Sequence, residues 1–360
     1  MAPKIRVLIV DDSALVRDIL AVGLSRDPDI EVVGTAQDPF EAGEIIPTLR
    51  PDVMTLDVEM PRMNGLEFLR RLMPQYPLPV VMVSALTEKG RQLTFDALAL
   101  GAVDFVAKPK GDLARGMELL LNELVLKIKT AANAKLLRFR SPASGGIGEN
   151  SRHETAMALK ERATKQAVPS FRVIIIGAST GGTEAVREVI TRFPGNTPGI
   201  VVVQHMPAGF TRLFANRLDS EAAMKVKEAE NGDRIINGRI LVAPGGKQLR
   251  LQKDPHGGFG VGIYEEDRQA KHAPSIDVAM LSAAELAGSK GIGVVLTGMG
   301  SDGAVGLKAM REVGARCLAQ DEATSVVFGM PDMAFRNGAA ERLVPIGEMA
   351  KTILSFLAAN

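Results

Sequence analysis

A single cysteine, Cys317, is all the chain carries in 360 residues, which excludes an internal disulfide and any cysteine-built metal cage and suits a reducing compartment. A lone thiol beside a strand-like start reads as a core side chain rather than a nucleophile. An excess of one charge is lacking too. Lys and Arg number 43 against 42 Asp and Glu, a net charge of +1 with no basic block, so bulk charge points to neither nucleic acid nor a membrane surface. There is also no long apolar run at the start: Ile5 to Val10 is too short for a signal or membrane segment and runs into Asp11 and Asp12. The chain is therefore expected to be soluble and cytoplasmic, without membrane insertion. With 46% hydrophobic and 24% charged residues the composition is ordinary for a globular protein, and the length exceeds what one core usually takes, so two domains are expected.

The chain is organised around Arg172 to Gly182, RVIIIGASTGG. Its β-branched run reads as a central, buried strand of a parallel sheet, and the turn behind it then lies at the sheet's carboxyl edge. Gly177, Gly181 and Gly182 let the backbone bend sharply, and Thr183 to Arg192 has helical composition. Ser179 would thus sit exposed at a helix N-terminus, where outward-pointing amides stabilise an anion. That anion is either a bound phosphate or the oxyanion of a serine attacking a carbonyl. Gly177 to Gly181 fits the G-x-S-x-G pattern, which alone does not decide between them.

Upstream, apolar runs Val7 to Val10, Val32 to Val33, Val53 to Leu56, Val80 to Val83 and Val103 to Val106 alternate with helical stretches. This is the βαβ pattern of a doubly wound parallel sheet, and five strands in about 129 residues suggest the flavodoxin-like order. Asp11 and Asp12 follow the first strand, Asp57 the third, Ser84 the fourth and Lys108 the fifth, so all project into one crevice. Carboxylates converging there repel one another unless a divalent cation sits between them, and all-oxygen ligands suit Mg²⁺.

The motifs DDSALVR, TLDVEMPRMNGLEFL, VVMVSALT and GAVDFVAKPK make this segment resemble a receiver domain of bacterial two-component signalling. The resemblance implies that Asp57 accepts a phosphoryl group from a histidine kinase, and that Asp11, Asp12, Asp57 and the Glu59 backbone carbonyl hold Mg²⁺. It also implies that Lys108 pairs with the phosphate, that Ser84 turns its hydroxyl toward it, and that Phe105 is the aromatic switch residue. Members of the family often have a cis bond at the position of Lys108–Pro109.

From Thr130 to Ser170 the chain is rich in Ala, Ser, Gly and charge, including SPASGGIGENS, and is expected to be a flexible linker carrying a solvated His153. Within it Met157 to Ala163 could form a short helix. The expected layout is a receiver domain over 1–129, a linker over 130–170 and a second α/β domain, doubly wound and mainly parallel, over 171–360.

In the second domain a buried run from Ile200 to Val203 ends in Gln204-His205, and another from Ile292 to Leu296 ends in TGMGSDG, where Asp302 opens the next helix. Helical stretches cover Gly209 to Leu218 and Pro274 to Ala287, with strands and turns from Arg239 to Ile263. Serine, histidine and aspartate are thus presented at strand ends of one sheet. Serine is a poor nucleophile until an imidazole takes its proton, and a carboxylate behind the imidazole fixes its tautomer. His205 could instead be a core histidine and Asp302 merely an N-cap. His256, in a DPHGG turn, and His272, in a polar stretch, are rival bases read as surface positions or parts of a substrate-facing loop. The order Ser, His, Asp along the chain differs from that of α/β-hydrolases.

GASTGGTEA, VVVQHMPAGFT and GVVLTGMGSDGAVGL, with the receiver upstream, make the whole chain resemble the CheB-type chemotaxis methylesterases. The resemblance implies a Ser179–His205–Asp302 catalytic triad, with Thr180 beside the nucleophile and the Met299 amide near the oxyanion. It implies hydrolysis of glutamate γ-methyl esters on methyl-accepting chemotaxis receptors, and deamidation of receptor glutamines. It further implies phosphorylation by a chemotaxis histidine kinase and inhibition of the esterase until Asp57 is phosphorylated. Other readings of the residues are a phosphate- or nucleotide-binding output module and a transcriptional regulator. The first lacks a full G-x-G-x-x-G and a following Lys, and the second lacks an evident basic recognition helix.

Overall fold

The computed structural model describes residues 3–85, 87–109, 113–134, 170–265 and 271–358. By internal contacts the chain divides into two units, Met1–Phe139 and Arg140–Asn360.

The first unit alternates strand and helix: β1 Ile5–Val10, α1 Ala14–Leu24, β2 Ile30–Ala36, α2 Pro39–Leu49, β3 Val53–Asp57, α3 Gly65–Leu72, β4 Val80–Ser84, α4 Glu88–Ala99, β5 Asp104–Ala107 and α5 Leu113–Ala132. Its five strands are all parallel in the order β2-β1-β3-β4-β5, the flavodoxin-like arrangement read from the sequence. Every residue of β3 and β4 is buried, as expected of central strands covered on both faces by helices. Helix starts are fixed by short polar side chains. Ser13, Asp38, Asn64 and Thr87 each accept a hydrogen bond from a first-turn amide of α1, α2, α3 and α4. Gly65 opens α3 so close to β3 that a Cβ would lie 2.1 Å from the carbonyl oxygen of Asp57. Helix α5 runs to Ala132, past the end expected near Lys129. The expected linker beyond residue 134, with His153 and the possible helix over Met157 to Ala163, lies outside the described residues.

The second unit is larger. Its elements are β6 Val173–Ala178, α6 Gly182–Ile190, β7 Ile200–Gln204, α7 Phe210–Glu221, β8 Lys225–Glu228, β9 Arg234–Ile235, β10 Arg239–Val242, β11 Gln248–Lys253 and β12 Phe259–Tyr264. They continue with α8 Ile276–Ala287, a 3₁₀ turn Gly288–Lys290, β13 Gly291–Val295, α9 Ala304–Glu312, β14 Arg316–Gln320, α10 Met330–Arg336, β15 Arg342–Val344 and α11 Ile346–Ala358. Seven strands form one parallel sheet in the order β15-β14-β13-β6-β7-β10-β8, and β11-β12-β9 form a small antiparallel sheet. Strands β6, β7 and β13 are buried at every residue, which their Val- and Ile-rich sequences allow. Helix α8 packs against both β6 and β11, and its Ile276, Ala279, Met280 and Ala283 join the core. Cys317 lies there too, in β14, fully buried.

The order of the strands positions the site. From β6 the sheet grows through β7 on one side and through β13 on the other, so the connections leave in opposite directions and open a crevice at the carboxyl ends. Ser179, His205 and Asp302 all follow those three strands.

Candidate active site

Ser179 comes directly after β6 and is half-buried. Its backbone N–H donates to the carbonyl of Thr297, just past β13 (3.0 Å), and its own carbonyl accepts the Gly182 amide (2.7 Å). Two of the amides that a phosphate cradle would use are therefore already committed, and the Ser179 amide is not an oxyanion donor. The turn closes through Gly181, whose φ of 73° is strained for any residue with a Cβ. From there α6 begins at Gly182, one residue before the expected start.

His205 follows β7, and its N–H donates to the carbonyl of Ala178 (3.1 Å), which ties the two strand ends together. Its Nδ1 lies 3.2 Å from Ser179 Oγ and its Nε2 lies 2.7 Å from Asp302 Oδ2. Asp302 accepts four hydrogen bonds: Oδ2 from His205 Nε2 and the Ile276 amide (2.7 Å), Oδ1 from the Ser275 hydroxyl (3.0 Å) and the Asp277 amide (3.0 Å). Burial by itself would raise the Asp302 pKa, but the contact with His205 and these amides hold the carboxyl well below the usual carboxylate range. An ionised Asp302 makes Nε2 the protonated nitrogen and leaves Nδ1 with a lone pair facing the serine hydroxyl. In trypsin-like hydrolases the two ring nitrogens have the opposite partners.

One expectation needs correcting. Asp302 does not cap the helix that follows it. Gly303, with a φ of 92°, holds the N-cap position of α9, and the carboxylate rests on the start of α8, which Ser275 caps. Beside it, Asp277 is pushed up to about 6, first by burial and then by the charge of Asp302, although its Oδ1 accepts the Gly306 amide (2.7 Å).

The remaining sequence candidates fall out as follows. Thr180 is buried, and its carbonyl accepts the Thr297 hydroxyl (3.0 Å). Met299 is partly exposed and follows Gly298, where a Cβ would lie 2.7 Å from the Cβ of Ser179. His256 is exposed in its turn and its amide donates to Asp254. His272 takes a different place. It is exposed, yet its ring stacks on His205 with centroids 4.1 Å apart and planes 18° off parallel, which makes it part of the site. Desolvation of the stacked face, and then the neighbouring His205, lower the His272 pKa.

The first unit carries its own site. Asp57 ends β3 and, like Asp11, is buried, whereas Asp12 is exposed. One carboxylate oxygen from each of these three lies within 4.8 Å of the others. Lys108 Nζ sits 2.8 Å from both Asp11 Oδ2 and Asp57 Oδ2. Burial, and to a lesser degree the charge of Asp11, push Asp57 up to about 6 against the pull of Lys108. The Glu59 amide donates to Asp57 Oδ1 (3.4 Å). The Ser84 hydroxyl is within hydrogen-bond reach of the Ala85 and Gly90 carbonyls (3.2 Å each), and Phe105 is buried beneath the Lys127 ammonium, 5.2 Å from its ring centroid. Hard oxygen donors whose repulsion Lys108 only partly offsets fit a divalent cation. Among the described residues the cis peptide bond is Ala273–Pro274, not Lys108–Pro109.

Residues 174–353 match the CheB methylesterase family and residues 7–134 match the response regulator receiver domain. A protein-glutamate methylesterase/protein-glutamine glutaminase of Syntrophotalea carbinolica is 55% identical over 358 residues, covering 99% of both chains. The chain belongs to the CheB methylesterase family. A protein of the same description from Nitrosomonas europaea is 49% identical over 98% of this chain and 97% of its own. The solved CheB methylesterase catalytic domain of Thermotoga maritima superposes with a TM-score of 0.50 at 37% identity, over 51% of this chain and 98% of that one. Among the described residues no helix is long and apolar enough to cross a membrane.

Beyond the family's motifs, the geometry adds residues that sequence reading missed. Gln204, buried at the end of β7, donates from Nε2 to the carbonyls of Ser179 (2.9 Å) and His205 (3.3 Å), so one side chain holds both strand ends. Its signal was a polar residue closing the otherwise apolar IVVVQ. Thr297 and Ser275 are the other fasteners: Thr297 holds the Ser179 turn, and Ser275 binds Asp302.

Proposed function

We propose that the second unit hydrolyses γ-methyl esters of glutamates on methyl-accepting chemotaxis receptors in the cytoplasm, and deamidates receptor glutamines, under control of phosphorylation at Asp57. The observation that carries this reading is His205 bridging Ser179 Oγ and Asp302 at the switch point of the parallel sheet. In this mechanism Nδ1 of His205 takes the Ser179 proton as Oγ attacks the ester carbonyl, and Asp302 stabilises the imidazolium so formed. Collapse of the tetrahedral adduct breaks the ester C–O bond, and methanol leaves with the proton from His205. Water then adds to the acyl-enzyme with His205 as base, releasing the glutamate carboxylate and restoring Ser179. With a glutamine substrate only the leaving group differs, ammonia in place of methanol. Amides near Thr180 and Met299 are the proposed oxyanion donors.

In the receiver unit Asp57 is the proposed acceptor of a phosphoryl group from a chemotaxis histidine kinase. Asp11, Asp12, Asp57 and the Glu59 carbonyl would hold Mg²⁺, which when bound offsets the charge of the incoming group. Lys108 would pair with phosphate oxygens, and Ser84 and Phe105 are the proposed responders, Ser84 by giving up its carbonyl partners. The test is methanol release from methylated receptor by the full chain and by Ser179→Ala. Release by the wild type that drops at least about a thousandfold in the variant supports the reading; comparable release by both ends it.

A further inference from the structure

The stretch from His272 to Ser275 serves the triad twice. Its first residue stacks its ring on His205, with centroids 4.1 Å apart and planes 18° off parallel, and its last donates a hydroxyl hydrogen bond to Asp302 Oδ1 (3.0 Å). The stretch is pinned by Gln248, buried at the start of β11, whose Nε2 donates to the carbonyl of His272 (2.6 Å) and whose Oε1 accepts the amide of Ser275 (2.9 Å). Between these bonds the Ala273 carbonyl accepts the Gly246 amide (3.0 Å). An exposed ring is thus carried on a backbone that is fastened on both sides of it and of Ala273 to β11 and the turn before it.

His205 needs such a support. Its ring nitrogens meet Ser179 and Asp302 edge-on, which leaves the imidazole able to rock about the line through the two nitrogens, and the χ2 torsion of a histidine is soft. A second ring laid against its face removes that motion. The second ring must also be uncharged, because His205 becomes a cation as it takes the serine proton, and a neutral aromatic face attracts a cation where a protonated one repels it. Desolvation first and the neighbouring His205 next hold the His272 pKa below the ordinary histidine value, with Lys271 adding to them and the charge of Asp302 opposing. The other charged side chains of the adjoining cavity are Arg250 and Asp277. We propose that His272 is a positioning residue of the hydrolase, its ring bracing the face of His205 so that Nδ1 stays on the Ser179 hydroxyl while Nε2 stays on Asp302. The brace acts through His205 and exchanges no proton itself. The proposal rests on the esterase reading above.

The test compares the full chain with its His272→Ala and His272→Phe variants, the first removing the ring and the second keeping a ring that cannot carry charge. With methylated receptor as substrate, His272→Ala should lower kcat by about 10- to 100-fold, the cost of a misplaced reacting group, and leave KM within about twofold, since the brace acts on the reacting hydroxyl and not on substrate binding. His272→Phe should recover kcat to within about threefold of wild type, because stacking and not proton transfer is what it restores. The rate at which a fluorophosphonate labels Ser179 reports the reactivity of the hydroxyl without any receptor, and it should fall in His272→Ala and return in His272→Phe by about the same factors. An alanine variant with wild-type kcat and labelling rate, a loss that appears in KM alone, or a phenylalanine variant no better than alanine overturns the brace. If no variant and not even the wild type releases methanol while labelling still falls with alanine and returns with phenylalanine, the esterase reading fails and the positioning role stands.

Discussion

The four hydrogen bonds converging on Asp302 make it the most strongly fixed charged side chain of the second site, and its depressed pKa is a statement about stability as well as mechanism. An unfolded aspartate titrates near about 3.9 and the folded one lower. Its contribution is thus fully present above about pH 4 and is lost as the pH falls through the folded value. Asp302→Asn removes the ionised acceptor. The melting temperature of the full chain, measured by scanning calorimetry, should be lower for the variant at pH 6 to 7, and the gap should narrow below about pH 4. A gap that is constant down to pH 3 would assign the linkage elsewhere. The type and place of Asp302 were legible in TGMGSDG. Its seat on α8 was not, because Ser275 and Ile276 come earlier in the chain by more than two turns of any helix and only packing brings their donors to it.

At the scale of elements, the site depends on how closely the ends of β6 and β13 approach. Gly298 touches Ser179: a Cβ there would lie 2.7 Å from the Ser179 Cβ, 3.1 Å from its nitrogen and 2.4 Å from Met330 Sδ. The thioether can swing aside, but the serine backbone cannot without breaking the Ser179–Thr297 hydrogen bond. Gly298→Ala should therefore lower kcat by on the order of 100-fold, the cost of displacing a reacting group by about 1 Å. Far-ultraviolet circular dichroism should stay native, and near-normal turnover would show that the strand ends tolerate separation. The strands that frame this contact were readable because their runs are β-branched and wholly apolar. Strands β8, β9, β14 and β15 are not legible one by one, since RCLAQ or KVKE mixes polar and apolar residues over too short a span to show a period.

For the molecule as a whole, the reading requires the receiver's phosphorylation to change the output of a different unit. A small phosphodonor such as acetyl phosphate with Mg²⁺ should raise methanol release by the wild-type full chain about fivefold or more, the lower range of allosteric coupling. Asp57→Ala should show the basal rate with and without donor. Equal stimulation of both would remove Asp57 from the control of the esterase. The receiver was the most legible part of the chain, because four of its five strand ends carry a side chain of the type phosphoryl chemistry needs. That Lys108 lies midway between Asp11 and Asp57 follows only from the parallel register of β1, β3, β4 and β5.

By itself the sequence determined the two α/β halves, their central strands, and the residue types that end those strands, because burial on both faces demands uninterrupted Val and Ile and because a reactive group needs an exposed strand end. Folding alone decided which nitrogen of His205 faces the serine, that α8 supports Asp302, that Gln204 holds two strand ends, and that His272 belongs to the site. Each of these is a contact between segments distant in the chain, and such contacts are set by the order of strands in the sheet, which local composition does not encode.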